Sequence, residues 1–93
     1  MNKYEILYIL SAELDDAARE AAIEKYKAIV TAGGGEVETV DKWGVKKLAY
    51  PINYKSEGFY VLMTFISKPE TPAEIERQMR ISDEVMRFLV IKK

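Results

Sequence analysis

Lysines and tyrosines are the side chains of this chain best suited to bind a ligand, and several of them lie close together between Val45 and Phe65. Ammonium groups neutralise phosphates, and phenol rings stack on bases or donate hydrogen bonds. Two interpretations are open: an apolar hairpin whose polar groups are merely solvated, or a surface that holds an anionic partner. The lysines and tyrosines of this segment are Lys46, Lys47, Tyr50, Tyr54, Lys55 and Tyr60.

Catalytic chemistry has little to use here, because the chain contains no cysteine and no histidine. It therefore lacks a thiolate nucleophile, a zinc–thiolate site and the commonest general base. Asp15 and Asp16 are adjacent, as are Asp83 and Glu84, but neighbouring carboxylates seldom converge on a metal without further ligands. Charge at a helix start is the better interpretation. We predict no enzyme activity, no metal site, no cofactor and no small-molecule substrate.

The size and composition fit one soluble domain. The chain has 93 residues, 48% of them hydrophobic and 31% charged, so we expect a single domain over residues 1–93. No apolar run approaches the roughly 20 residues of a membrane span. The N-terminal sequence MNKYEILYIL lacks the features of a convincing signal peptide. We therefore expect a cytoplasmic protein without a membrane partner.

The charge is divided unevenly along the chain. Residues 1–41 carry four basic and nine acidic side chains, whereas residues 42–93 carry ten basic and six acidic ones. The net charge of −1 thus conceals an acidic first half and a basic second half. Such a division favours a bipolar surface with a positive side for an anionic partner, although ordinary solvation of both signs is the alternative.

Hydrophobic periodicity and turn residues predict six elements. Ser11 and Thr71 are expected to cap the two helices. Gly44 indicates a bulge in the second strand, and Pro51 places that strand at a sheet edge because proline cannot donate a ladder hydrogen bond. The predicted strands are 3–10, 36–52, 59–66 and 84–93, with helices from 14 to about 32 and from 71, and a loop at 53–58.

The element order β-α-β-β-α-β is that of the ferredoxin-like α+β fold. It predicts a four-stranded antiparallel sheet with both helices on one face and the second strand at an edge. Alternation along the strands then separates a covered face from an open one. The residues predicted for the covered face are Ile6, Tyr8, Phe59, Val61, Met63, Phe65, Phe88 and Val90.

The predicted open face is unusually apolar for a monomer, which favours a partner surface. A homodimer or a covering loop is the alternative. The stretch EGFYVLMTF matches the third-strand signature of the RNA-recognition motif poorly, because Glu57 replaces a basic residue and the exposed aromatics are wrongly spaced for stacking two bases. The apolar residues of this face are Leu7, Ile9, Tyr60, Leu62, Ile66, Leu89 and Ile91.

Three segments together carry a family resemblance. They are KYEILYIL at the start, WGVKKLAYPI followed by EGFYVLMTF in the middle, and MRISDEVMRFLVIKK at the end. In this combination and order, the chain resembles the bacterial small ribosomal subunit protein six family over essentially its whole length.

The resemblance implies a non-enzymatic protein that binds the central domain of small-subunit ribosomal RNA. It also implies a heterodimer with small ribosomal subunit protein eighteen. The strand pattern leaves two docking surfaces open for that protein, the edge of the second strand and the open sheet face. The basic and aromatic side chains are then expected RNA contacts, in which lysine and arginine neutralise phosphates. The expected RNA-binding residues are Lys3, Tyr4, Lys46, Lys47, Tyr50, Tyr54, Lys55, Arg80, Arg87, Lys92 and Lys93.

Two other classes remain for comparison. One is a ferredoxin-like regulatory module that forms a homodimer through its sheet and binds a small effector. The other is a small enzyme of the same fold, such as an acylphosphatase, which needs an anion-binding loop and an arginine–asparagine pair near the first strand. The sequence ILSAELDD supplies neither.

Overall fold

The structure is a computed structural model that describes residues 1–52 and 55–93, with the side chains of residues 49–55 outside the description. Four strands and two helices account for most of the described residues. In chain order they are β1 (Asn2–Ser11), α1 (Asp16–Ala32), β2 (Glu36–Ile52), β3 (Lys55–Ser67), α2 (Glu70–Arg80) and β4 (Val85–Lys92).

The strands form one antiparallel sheet in the order β2-β3-β1-β4. The predicted ferredoxin-like fold is thereby confirmed. β2 lies at an edge, as expected from Pro51, and β4 forms the other edge. Because β1 and β3 are central, their side chains decide what each face of the sheet presents.

The core lies between the helices and the face of the sheet that they cover. Ile6 and Tyr8 of β1 are fully buried there and pack with helix residues such as Tyr26. The rings of Tyr8 and Tyr26 meet edge to face at 5.5 Å. Burial raises the pKa of both tyrosines above the ordinary value. The alternation predicted for β1 and β3 is confirmed, with Phe59, Phe88 and Val90 at the partly buried margin of the core.

Both helix starts differ from the prediction. Asp15 caps α1, and its Oδ1 accepts a hydrogen bond from the Ala18 backbone N–H at 2.8 Å. Ser11 instead ends β1, where its N–H donates to the Glu84 carbonyl at 2.8 Å. α2 begins before Thr71, whose side chain is buried in the first turn and makes no cap. In each case the polar residue that was expected to cap the helix is buried and does not cap it.

The β2–β3 hairpin is longer than expected. β3 begins at Lys55, so the predicted loop at 53–58 is wrong from residue 55 onward, and residues 53 and 54 lie outside the description. Cross-strand pairs continue beyond the core to Lys47 opposite Glu57. Polar residues are compatible with strand structure here because a ribbon that extends past the core is solvated. The predicted bulge at Gly44 is confirmed by a register shift and a φ of +87°.

Candidate nucleic-acid and protein interface

Strand register arranges the open face of the sheet, opposite the helices, in rows that cross all four strands. The row at its centre is mostly aliphatic. Leu89 in this row is 57% exposed, and Ile91 in the next row is 44% exposed. A shallow groove runs here and is lined by Leu7, Ile9, Arg87, Phe88 and Leu89. The residues of this row, from β2 to β4, are Asp41, Leu62, Leu7 and Leu89.

Ile9 contributes little accessible surface to this face, although the sequence predicts it on the partner surface. Its side chain is only 8% exposed. A Cβ atom added at Gly58 would clash with Ile9 Cγ2 and would also touch Leu48. Leu48 is itself buried. The β2–β3 hairpin therefore covers Ile9 from within the chain.

On one side of the aliphatic row lies a group that we name the cationic end: Trp43, Lys46, Tyr60 and Arg87. Register places Tyr60 and Arg87 in the same row, on either side of Ile9. The rings of Trp43 and Tyr60 are stacked at 6.3 Å with an angle of 8° between their planes. The Lys46 ammonium lies 5.1 Å from the centre of the Trp43 ring, a distance at which a cation is attracted to the ring.

On the other side of the aliphatic row lies a group that we name the far end: Lys3, Glu5, Glu38 and Lys93. Each of its two lysines has a carboxylate partner. Lys3 Nζ lies 3.2 Å from Glu38 Oε1. Lys93 Nζ lies 3.2 Å from Glu5 Oε2. These two predicted RNA-binding lysines are therefore close together, but their charge is largely balanced within the chain.

Three further predicted cations lie away from the open face. Register places Lys92 opposite Tyr4, on the helix-covered side. Arg80 is on α2, 3.4 Å from Glu76 and above the ring of Phe88. Lys47 pairs across the hairpin with Glu57, so it points to the opposite side from Lys46. The predicted cations thus do not form one continuous patch.

Of the predicted tyrosines, Tyr4 is a correction. It is 7% exposed, and its ring stacks on Phe65 at 5.8 Å within the core. Its hydroxyl accepts a hydrogen bond from Asn2 at 3.3 Å. The ring is therefore not available to stack on a base, because even-numbered positions of β1 face the helices.

Three predicted contacts cannot be placed. Tyr54 lies outside the described residues, as do the side chains of Tyr50 and Lys55. Their RNA-binding roles remain predictions.

Trp43 belongs to this surface, although it is not among the RNA-binding residues expected from the sequence. It packs on Tyr60, yet 43% of its surface is exposed. The Trp-Gly pair in the sequence could have predicted this position. A bulge next to Gly44 breaks the alternation of side chains between the two faces, so the tryptophan before it can point to the open face.

Charged side chains on α2 pair with one another along the helix. On α2, hydrogen bonds from Arg77 and Gln78 lower the pKa of Glu74 to about 2. Among the described residues, no group of three or more acidic side chains is arranged to hold a metal ion. Nor does the described part of the chain contain a helix long and apolar enough to cross a membrane.

Comparison with known proteins shows the family of the chain. The sequence model of the family described as Ribosomal protein S6 matches residues 3–92. The chain belongs to the ribosomal protein S6 family. It is 54% identical over 91 residues to small ribosomal subunit protein bS6 of Clostridium novyi (strain NT), covering 98% of this chain and 96% of that relative. Identity is 48% over 92 residues to the bS6 protein of Caldanaerobacter subterraneus subsp. tengcongensis, with 99% and 97% covered.

A solved structure extends the similarity to the fold. The crystal structure of 30S ribosomal protein S6 from Thermotoga maritima matches with a TM-score of 0.93 at 26% identity. The match covers 99% of this chain and 87% of that one. The resemblance expected from the sequence is confirmed, and this S6-family chain is a protein of the small ribosomal subunit.

Proposed function

We propose that this protein is a structural, non-enzymatic component of the small ribosomal subunit in the cytoplasm. In this role residues 1–93 act as a single domain that binds the central domain of the ribosomal RNA together with small ribosomal subunit protein eighteen. The observation that carries the proposal is the layout of the open face, where a cationic, aromatic group adjoins an aliphatic row. An anionic partner and an apolar partner can then bind side by side.

The RNA contacts are led by Lys46 and Arg87, since both project from the open face at its cationic end. Their positive groups neutralise phosphates and release counterions, so affinity falls with salt. Tyr4 is omitted because its ring is in the core. The other contacts proposed from the sequence are Lys3, Lys47, Tyr50, Tyr54, Lys55, Arg80, Lys92 and Lys93.

The protein contact fits the aliphatic row better than the β2 edge. β2 pairs with β3 through several register shifts, including those at Val37/Thr39 and Lys42/Gly44. Bulges of this kind bend an edge strand and disfavour addition of another strand. The open face, in contrast, exposes Leu89 and Ile91. We therefore propose that protein eighteen packs on Leu7, Leu62, Ile66, Leu89 and Ile91, without Ile9. Tyr60, also expected on the partner surface, lies at the border between this contact and the cationic end.

The test is binding to a transcript of the central domain, with and without protein eighteen, from roughly 50 to 200 mM salt. We expect tight binding in the presence of protein eighteen and a linear fall of log affinity with log salt. Lys46→Glu should weaken binding without unfolding the domain. Lys25→Glu is the matched control, because Lys25 also lies over an aromatic ring but on α1, away from the open face.

Two results would contradict the proposal. One is the lack of salt-sensitive RNA binding even with protein eighteen. The other is a stable homodimer in sedimentation that is stabilised by a small effector and does not bind the transcript, which would favour the regulatory module instead.

A further inference from the structure

We propose that Trp43, Tyr60 and Lys46 form a stacking site for one unpaired base of the bound RNA. This inference rests on the proposed function, since it specifies how part of that RNA is held. It adds a residue, Trp43, that neither the sequence reasoning nor the family resemblance assigned to RNA.

The backbone places Trp43 on the open face by means of the bulge. Lys42 faces the helices, where it pairs with Glu20 of α1. Gly44 pairs with Tyr60 on the open side, and Trp43 between them has no cross-strand partner. Because no residue of β3 pairs with Trp43, its indole can turn to the open side and stack on Tyr60. Gly44 adopts a φ of +87°, and a Cβ added there would meet nothing within 4 Å, so glycine is required for the backbone conformation and not for space.

The geometry of the rings suits a base. The rings of Trp43 and Tyr60 are nearly parallel, which presents a flat platform, and 43% of the Trp43 surface is exposed. Aromatic side chains in such a position stack with bases of any sequence. Tyr60 already uses part of its ring on Trp43, and its same-face neighbours are Leu62 and Ile9. The platform therefore has room for one base and not for a run of them.

The positive charge of Lys46 beside the rings favours an RNA base over a protein side chain as the group that binds there. Within the described part of the chain, Lys46 has no carboxylate partner and rests its ammonium over the Trp43 ring. A lysine side chain is long and flexible, so it can leave the ring and meet the phosphate of the nucleotide whose base replaces it. The aliphatic row nearby offers a protein partner a drier surface, and Trp43 stands outside it.

The experiment uses the single tryptophan of the chain as a probe. Protein labelled with 5-fluorotryptophan gives one fluorine resonance, which remains distinct even if the partner contains tryptophan. We expect that resonance to move when the central-domain transcript is added to the heterodimer. Trp43→Leu should weaken RNA binding by roughly 5- to 100-fold, as for the loss of one base stack. It should leave the salt dependence unchanged, because stacking displaces no counterion.

Matched variants separate stacking from packing and from charge. Trp43→Phe keeps a flat ring and should restore affinity to within roughly threefold of the wild type. Lys46→Met should instead lower the slope of log affinity against log salt by about 0.7 to 0.9. Thermal unfolding of each variant checks that the domain is intact, and Lys46→Met tests the site without altering ring packing.

Three outcomes overturn the inference. If Trp43→Leu binds the transcript as tightly as the wild type, Trp43 holds no base, while the proposed function stands. If the resonance moves with protein eighteen alone and Trp43→Leu weakens only the heterodimer, the rings are a protein contact. If the wild-type heterodimer does not bind the transcript, the proposed function fails, and the stacking site fails with it.

Discussion

The two ends of the open sheet face carry similar residues but differ in what those residues contact. At the far end, Lys3 and Lys93 lie 3.2 Å from the carboxylates of Glu38 and Glu5. At the cationic end, Lys46 rests over the ring of Trp43. The aliphatic row separates the two. A partner covering the whole face would meet balanced charge on one side and, on the other, the Lys46 ammonium, which no carboxylate of the described residues balances.

This difference shows why a count of basic residues does not locate an RNA-binding surface. The far end has two lysines and the cationic end has one lysine and one arginine, yet the charge of the far-end lysines is already balanced by Glu38 and Glu5. A phosphate that approached it would have to replace a carboxylate. At Lys46 a phosphate displaces a cation–ring contact and meets no carboxylate partner among the described residues.

The largest effect is expected from a substitution at Gly58, where the hairpin that carries Trp43 and Lys46 packs on β1. Gly58→Val would push a branched side chain against Ile9 and Leu48, and overpacking of this kind costs typically about 1–3 kcal/mol. We expect a lower free energy of unfolding in urea and weaker RNA binding, because the hairpin that carries Trp43 and Lys46 would shift. Ser56→Val is the matched control, since Ser56 is an exposed hairpin residue. Equal losses in both variants would mean that the hairpin is not held through Gly58.

The comparison itself is tested by removing one lysine from each end. Lys46→Met should weaken RNA binding roughly five- to tenfold at 0.1 M salt, as expected when one phosphate contact is lost. Lys93→Met should change it less than about twofold, because Glu5 already balances that charge. Titrations across salt concentration measure both. Equal losses would show that the ion pairs of the far end open freely to RNA, and the distinction between the two ends would disappear.

The sequence was sufficient for the architecture because the fold depends on periodicity and turn chemistry, which are local. The alternation of β1, the bulge at Gly44 and the edge position marked by Pro51 were all predicted and found. The helix caps were not, because Ser11 and Asp15 are both good cap residues. Which one caps the helix depends on how far β1 runs, and that is set by pairing with distant strands.

The candidate site could be predicted only in part, for a related reason. The sequence identified the apolar open face and its lysines, but ion pairing between Lys3 and Glu38 joins residues 35 positions apart. The burial of Ile9 likewise depends on the return of the hairpin through Gly58. Tyr4 was assigned to RNA by residue type, although its alternation with Ile6 and Tyr8 already indicated the core.

The smallest effect is expected from releasing the lysines of the far end. The double variant Glu5→Gln, Glu38→Gln should alter the free energy of unfolding by less than about 1 kcal/mol, because exposed ion pairs contribute little. It should strengthen RNA binding by up to roughly fivefold at 0.1 M salt, since Lys3 and Lys93 become available to phosphate. This gain should fade as added salt screens the charges.

The control for this variant is Glu24→Gln, which releases Lys27 from an ion pair of the same 3.2 Å length on α1. If Glu24→Gln strengthens RNA binding as much per charge, the gain reflects net charge alone and the far end does not face the RNA. If only the far-end variant gains, the two ends differ in the availability of their cations and not in their position relative to the RNA. Carboxylates of the chain itself would then limit how much of the open face the RNA can use.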